Sequence, residues 1–333
     1  MINENTFELS NVERDNLWEA LDHIIYDPYG GIEYSVKLKK IAFSLLPHRI
    51  LVILMNQKMS ITPRPYLVFE NLPIDRKINT SPNPYNLDSS CKSGYISENL
   101  IVMFALLIGE PYSIKFEGQH IVNNLVPLED NKKDYTGLGS EVELDFHIEN
   151  AALKFIKGLN LSPKGILLTG VRNDVDGPLT RISDARLALK LLSEEDLKSL
   201  RDNLYIINVP YRWRKNGVIS TSKVPLVQGD SEFPDISAVF YPGMLEPQSK
   251  KAKEALDHFY EAIKAVSFGI NVQPGRLLYI DNRMALHSRD KFFGSFDSYK
   301  NPMRWLQRVF VSADLWNHRY VKQIKERVFD FQC

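Results

Sequence analysis

Apolar residues along this chain keep two different rhythms. In the first 60 residues they recur at steps of three and four, with Leu17, Trp18, Leu21, Ile24 and Ile25 on one stripe, which predicts a helix that buries one face. Ser10 or Asn11 stands where that helix needs an N-cap, a short side chain whose oxygen accepts from an exposed backbone N–H. Residues 97–107, SENLIVMFALL, are apolar almost throughout, and Gly109 and Pro111 follow. A capped apolar helix is predicted there, opened by Ser97 and stopped by the glycine and the proline. A last helix over residues 251–266 sets Ala255, Leu256, Phe259, Ala262, Ile263 and Val266 on one face.

Elsewhere the rhythm shortens. Pro63 and Pro65 precede YLVFENLP, a short apolar run stopped by Asn71 and Pro73, the pattern of a buried strand ending in a turn. Residues 75–94 are rich in Asn, Ser and Pro and predict a loop. Between about 114 and 180, β-biased runs (GQHIVNNLVP, VELDFHIEN, KGILLTGVRN) alternate with turn chemistry (DNKKD, GLG, NDVDGP). NVQPGRLLYIDN reads as a Pro274-Gly275 turn followed by a strand, and MRWLQRVFVSADL as another strand. Many short strands with few helices predict a mainly β protein with flanking helices, its core a closed or double-sheet jelly roll. No internal repeat or low-complexity tract divides the chain. It reads as one domain over 1–333: a mostly helical segment over 1–65, a jelly-roll core with insertions over 66–315, and a tail over 316–333.

Composition narrows the partners. The 333 residues are 44% hydrophobic, enough for a sizeable core, and 41 basic side chains balance 41 acidic ones. Without a basic excess there is no counterion-release grip on nucleic acid and no attraction to an anionic membrane, so the partners expected are small molecules. The longest apolar runs, Leu51–Met55 and Leu100–Gly109, fall short of the roughly 20 residues of a spanning helix. The N-terminal MINENTFELSNVERD lacks the basic-then-apolar order of a signal peptide, so a cytoplasmic location is expected. Cys91 and Cys333 make no disulfide framework and have no metal-binding spacing; both read as thiols.

The sharpest chemical pattern is Asp145-Phe146-His147-Ile148-Glu149-Asn150. On a strand, residues i and i+2 share a face, so His147 and Glu149 project together while Phe146 and Ile148 go to the other side. Alone, an H-x-E is commonplace at solvated strand edges. A late histidine after a predicted strand, His287 in IDNRMALHSRD, completes two imidazoles and one carboxylate, the set that caps one face of a non-haem Fe(II) site. Zinc would take the same ligands. A third element, Arg304-Trp305-Leu306-Gln307-Arg308, favours iron with a 2-oxo-acid cosubstrate, because arginine grips a carboxylate in a fixed plane and two of them can clamp cosubstrate and substrate. Gln119 is a candidate for a substrate amine, and Asp281 and Asn282 are candidates for orienting a ligand histidine from behind. The remaining histidines, His23, His48, His120, His258 and His318, have no partner spacing.

Taken in order, these pieces resemble the clavaminate synthase-like branch of the Fe(II)/2-oxoglutarate dioxygenases, which includes asparagine oxygenase and the arginine and lysine hydroxylases of antibiotic pathways. The resemblance runs from about Tyr66 to Leu315 and rests on LLIGEP (106–111), NNLVP (123–127), GLGSEVELDFHIEN (137–150), QPGRLLYIDNRMALHSR (273–289) and RWLQRVFV (304–311). It implies a double-stranded β-helix (jelly-roll) core and an enzyme that uses Fe(II), 2-oxoglutarate and O2. It further implies His147, Glu149 and His287 on iron, Arg304 on the distal carboxylate of 2-oxoglutarate with help from Thr180, and Arg308 on the α-carboxylate of an amino-acid substrate. Related halogenases replace the acid of H-x-E with a small residue; Glu149 therefore points to hydroxylation. Arg308, Glu149 and Gln119 together complement a free α-amino acid, hydroxylated at C3 or C4. Val239, Phe240 and Tyr241 favour a neutral or long polar side chain, with Asp235 the one acid able to receive a basic one. Substrates bound to a carrier protein or within a peptide are the alternative in this class, and a cupin-like metal- or ligand-binding module is the alternative outside it.

Overall fold

The computed structural model describes residues 3–82, 91–128, 131–133, 139–155, 158–173, 177–210, 220–294, 296 and 302–331. The middle of the loop expected over 75–94, much of the DNKKD, GLG and NDVDGP turns, and Cys333 lie outside these residues. Two sheets make the core. The larger runs Thr6–Glu8, Tyr66–Glu70, Leu277–Asp281, Gly165–Arg172, Trp305–Ser312, Glu110–Ile114, Val328–Asp330, Lys322–Lys325, with Asn123–Leu125 also paired to Trp305–Ser312. The smaller runs Phe268–Ile270, Thr180–Asp184, Ala285–Arg289, Leu144–His147. Tyr66 of the larger sheet and Phe268 of the smaller meet with ring centroids 5.0 Å apart. This is the double-sheet jelly roll that the strand pattern predicts.

Strand alternation decides what each face of the larger sheet touches. Tyr66, Val68, Ile166, Leu168, Leu278, Ile280, Leu306 and Phe310 join one apolar cluster with Phe146, Ile148 and Ile182. Their neighbours Leu67, Phe69, Leu167, Leu277, Tyr279, Val309 and Val311 join a second cluster with Leu17, Leu21, Leu38, Ile50 and Leu54 from the N-terminal helices. Both faces are buried, which is why these strands read as unbroken apolar runs rather than as alternation with polar residues.

The periodicity of the first 60 residues resolves into three helices, Asn11–Asp22, Ile32–Leu45 and His48–Met59. Ser10 caps the first, in a capping box with Glu13. Leu17 and Leu21 are buried, but the helix has ended before Ile24 and Ile25, and Ile25 is exposed. The apolar helix spans Ile96–Ile108, every residue of it buried. Ser97 is not its cap: the Asp75 carboxylate accepts from the N–H of Ile96 (3.0 Å) and of Ser97 (3.3 Å). Gly109 ends the helix with extended backbone, and a side chain there would collide with the carbonyl of Ser312. The late helix, Lys250–Val266, is capped by Ser249 and buries Ala255, Leu256, Phe259, Ala262 and Ile263. Beyond Leu315, where the pattern suggests only a tail, Lys322–Lys325 and Val328–Asp330 extend the larger sheet.

Candidate metal centre and its arginines

Strand Leu144–His147 pairs antiparallel with Ala285–Arg289 and sets His147 directly opposite His287. Opposed residues project to the same face, and the two imidazole centroids are 4.0 Å apart. The strand stops at His147, so plain alternation does not deliver Glu149. Instead Ile148 donates its N–H to the carbonyl of Ala238 (2.8 Å) and Asn150 turns left-handed at φ 54°. Glu149 Oε2 then lies 3.5 Å from His147 Nε2 and 3.6 Å from His287 Nε2. The three ligand atoms fall within 4.8 Å of one another, all from buried residues.

The protonation states suit a divalent ion. His147 Nδ1 lies 2.8 Å from the carbonyl of Asp145 and donates to it, so Nε2 is the nitrogen turned toward Glu149. Burial, with His147 beside it, pushes the His287 imidazole down to about 4, so it is neutral at physiological pH. Burial alone would raise the Glu149 carboxyl, but Arg308 and the two imidazoles outweigh it and hold this group well below the usual carboxylate range. Two imidazoles and one carboxylate on a single face could hold Fe(II) and leave other positions open.

The strand Trp305–Ser312 brings the arginines. Arg308 shares its face with Leu306 and Phe310 and lies 3.0 Å from Glu149 Oε1, 2.8 Å from Glu117 Oε2 and 3.3 Å from Asn123 Oδ1. Burial works against its charge, and Glu149 and Glu117 more than offset this. Arg304, one residue before the strand, is equally buried but forms no salt bridge among the described residues. Burial and the nearby Arg289 push it down to about 9. An unpaired buried cation of this kind calls for an anion supplied from outside.

Other expected residues fall into place unevenly. Asn282 does sit behind the site, but it holds Glu149 rather than a histidine: its Oδ1 accepts from the Glu149 N–H (2.8 Å) and its Nδ2 donates to the Glu149 carbonyl (3.0 Å). Asp281 does neither; it pairs with Arg283 (2.6 Å) and accepts from Tyr279 and Gln57, away from the ligands. Gln119 is exposed on a left-handed turn at φ 64°, and Glu117, two residues earlier, reaches Arg308 in its stead. Asp235 is taken by Lys154 and offers no unpaired acid to a basic substrate. Thr180 is buried and opposes Arg289 across the ladder. Of the three pocket candidates, Tyr241 stacks 4.8 Å from His147 and Val239 bridges to it, while Phe240 turns to Phe259 and Tyr260.

Comparisons with known proteins follow the same lines. L-asparagine oxygenase of Streptomyces coelicolor is 26% identical over 258 residues, 77% of this chain and 73% of the relative. L-lysine 3-hydroxylase of Catenulispora acidiphila is 28% identical over 227 residues, 66% of this chain and 60% of the relative. Among solved structures, asparagine oxygenase in complex with Fe(II), 2S,3S-3-hydroxyasparagine and succinate superposes with a TM-score of 0.84 at 22% identity, covering 98% of this chain and 99% of that one. At that identity the likeness speaks for the fold. The sequence pattern of a dioxygenase family matches residues 98–310, from the buried helix to the strand that carries Arg308. This chain belongs to that family, described as taurine catabolism dioxygenase TauD, TfdA.

Proposed function

We propose that this protein is an Fe(II)- and 2-oxoglutarate-dependent dioxygenase that hydroxylates a free amino acid at C3 or C4. The observation that carries the reading is the division of one carboxylate: Glu149 turns Oε2 to the two imidazoles and Oε1 to Arg308, so metal site and substrate arginine are parts of one constellation. His147, Glu149 and His287 hold the iron. Iron with bound 2-oxoglutarate and O2 supplies the oxidising power for C–H hydroxylation, with succinate and CO2 released. Arg304 takes the distal carboxylate of the cosubstrate, and Thr180 lines the same pocket.

Arg308 takes the substrate's α-carboxylate, and Glu117, in the place expected of Gln119, accepts from its ammonium. With both ends of the amino acid fixed beside Glu149, the carbons nearest the metal are those of the side chain. Tyr241 against His147, and Asp235 closed off by Lys154, favour a neutral or long polar side chain over a guanidinium. The substrates named for the relatives, asparagine and lysine, and the hydroxyasparagine bound in the solved neighbour support a free amino acid.

Two measurements test this. Anaerobic addition of Fe(II) and 2-oxoglutarate should give a weak visible charge-transfer band, which a zinc or metal-free binder lacks. Free amino acids should then stimulate succinate formation, and Arg308→Lys, which keeps the charge but loses the planar fork, should raise the amino-acid KM about tenfold or more with the 2-oxoglutarate requirement intact. An unchanged amino-acid KM in that variant would move the reading to a carrier-bound or peptide substrate, which has no free α-carboxylate.

A further inference from the structure

Near Arg304 stands a second buried cation that has no carboxylate partner among the described residues. Arg289 stands two residues after His287 on the same strand, hence on the same face, and opposite Thr180. It is as buried as Arg304, each 6% exposed. Its two terminal nitrogens donate to the carbonyls of Gly139 and Val142, the latter at 2.9 Å, and its Nε has no partner among the described residues. Carbonyl dipoles satisfy donors but do not neutralise a charge, and among the described residues no carboxylate pairs with either Arg289 or Arg304. Both lie over the Phe292 ring, the Arg289 guanidinium carbon 5.1 Å and that of Arg304 5.2 Å from its centroid. Each faces the ring's negative π surface closely enough for a cation–π contact.

Two like charges held beside one ring, away from water, repel each other unless an anion joins them. A hydrogen-bonding anchor for the loop at 139–142 would need donors only, not a guanidinium buried next to another guanidinium. We propose that Arg289 is a specificity-determining cation of the cosubstrate pocket, which together with Arg304 selects 2-oxo acids that carry a distal carboxylate over those that end in an alkyl group. The proposal rests on the assignment of Arg304 to that carboxylate. Arg304 makes the direct pair, and Arg289 adds a long-range attraction that only the second negative charge of the ligand feels.

The test is calorimetric binding to the Mn(II)-loaded, oxygen-free protein, with 2-oxoglutarate and 2-oxobutyrate as probes, the second lacking the distal carboxylate. Arg289→Gln should weaken 2-oxoglutarate about tenfold and leave 2-oxobutyrate unchanged, as expected for a lost charge at moderate range. Arg289→Lys, which keeps the charge but not the carbonyl fork, should retain the discrimination. Equal weakening of both ligands in Arg289→Gln, or no weakening of either, overturns the proposal. If Arg289→Gln does not fold, Arg289→Lys decides alone, and loss of discrimination there overturns it. Arg304→Gln is the separate control: if it leaves 2-oxoglutarate binding unchanged, the Arg304 assignment itself fails, whatever Arg289 does.

Discussion

Glu149 serves two neighbours at once, and that fixes what can be removed from the site without losing the fold. His147 and His287 are buried side chains whose ring nitrogens meet Glu149 across 3.5 and 3.6 Å, and His287 Nδ1 has no partner among the described residues. His287 is therefore a desolvated polar group with little native compensation in the metal-free protein, while His147 keeps its hydrogen bond to the Asp145 carbonyl. His147→Ala or His287→Ala should abolish stoichiometric metal binding and succinate formation while the metal-free variant keeps its far-UV spectrum and cooperative melting; near-wild-type metal content in either would refute the triad. At this scale the sequence was informative about residue types and less so about geometry. His147 and His287 follow from an H-x-E on a strand and a late histidine, yet Glu149 arrives past the strand end, with left-handed Asn150 after it. The strand rhythm expected around Gln119 does not hold: a turn of 3-10 helix over Lys115–Glu117 and Gly118 at φ 141° intervene, and the side chain that reaches Arg308 is Glu117.

Secondary-structure elements meet the site through buried polar links that periodicity cannot reveal. Asn282, just after strand Leu277–Asp281, donates to the carbonyls of Glu149 and Pro163 and to Ser162 Oγ and accepts from the Glu149 N–H. It ties the end of a larger-sheet strand to the acid just past the end of a smaller-sheet strand. Asn282→Ala leaves the Glu149 N–H without its acceptor, while the Glu149 carbonyl keeps the Ser162 hydroxyl (2.9 Å); this should cost about 1–3 kcal/mol of stability and, by loosening Glu149, roughly 10- to 100-fold in metal affinity. Denaturant unfolding of the metal-free protein and a metal titration check the two separately; a stability loss with unchanged metal affinity would deny Asn282 its orienting role. The arginine strand has a similar support on its outer face. Gln307, between Arg304 and Arg308, donates to Glu98 (2.8 Å), which pairs with buried Lys92 at 2.5 Å; Lys92 also reaches Asp75, the acid that caps the buried helix. The helix was legible from its apolar run. Its cap was not, because Asp75 is 21 positions from Ile96 in the chain.

At the scale of the whole molecule, both ends of the chain close the sheet that carries the arginines. Thr6–Glu8 pairs in parallel with Tyr66–Glu70 at one edge, and Val328–Asp330 pairs in parallel with Glu110–Ile114 toward the other. Parallel pairs between segments so distant in sequence leave no local signature, since each strand is only three to five residues long. His318, a histidine without partner spacing, lies at the second of these junctions. It is 2% exposed, its ring is 4.6 Å from Tyr112 and 4.7 Å from Phe329, and neither ring nitrogen has a partner among the described residues. Burial pushes it down from 6.5 to about 4. The folded protein thus binds this proton more weakly than the unfolded chain does. Its stability is unaffected above about pH 6.5, falls as pH drops through that value, and the loss levels off near pH 4, where it reaches about 3 kcal/mol. His318→Leu removes that proton-linked loss, so the drop in unfolding free energy of the metal-free protein between pH 7.5 and 4.5 should shrink by about 2 to 3 kcal/mol. The two buried metal-site histidines and the carboxylates contribute alike to wild type and variant, so the difference between the two curves isolates His318. Parallel pH–stability curves would mean that this imidazole takes up its proton in the folded state as readily as in the unfolded one, and that the sheet edge opens to admit it.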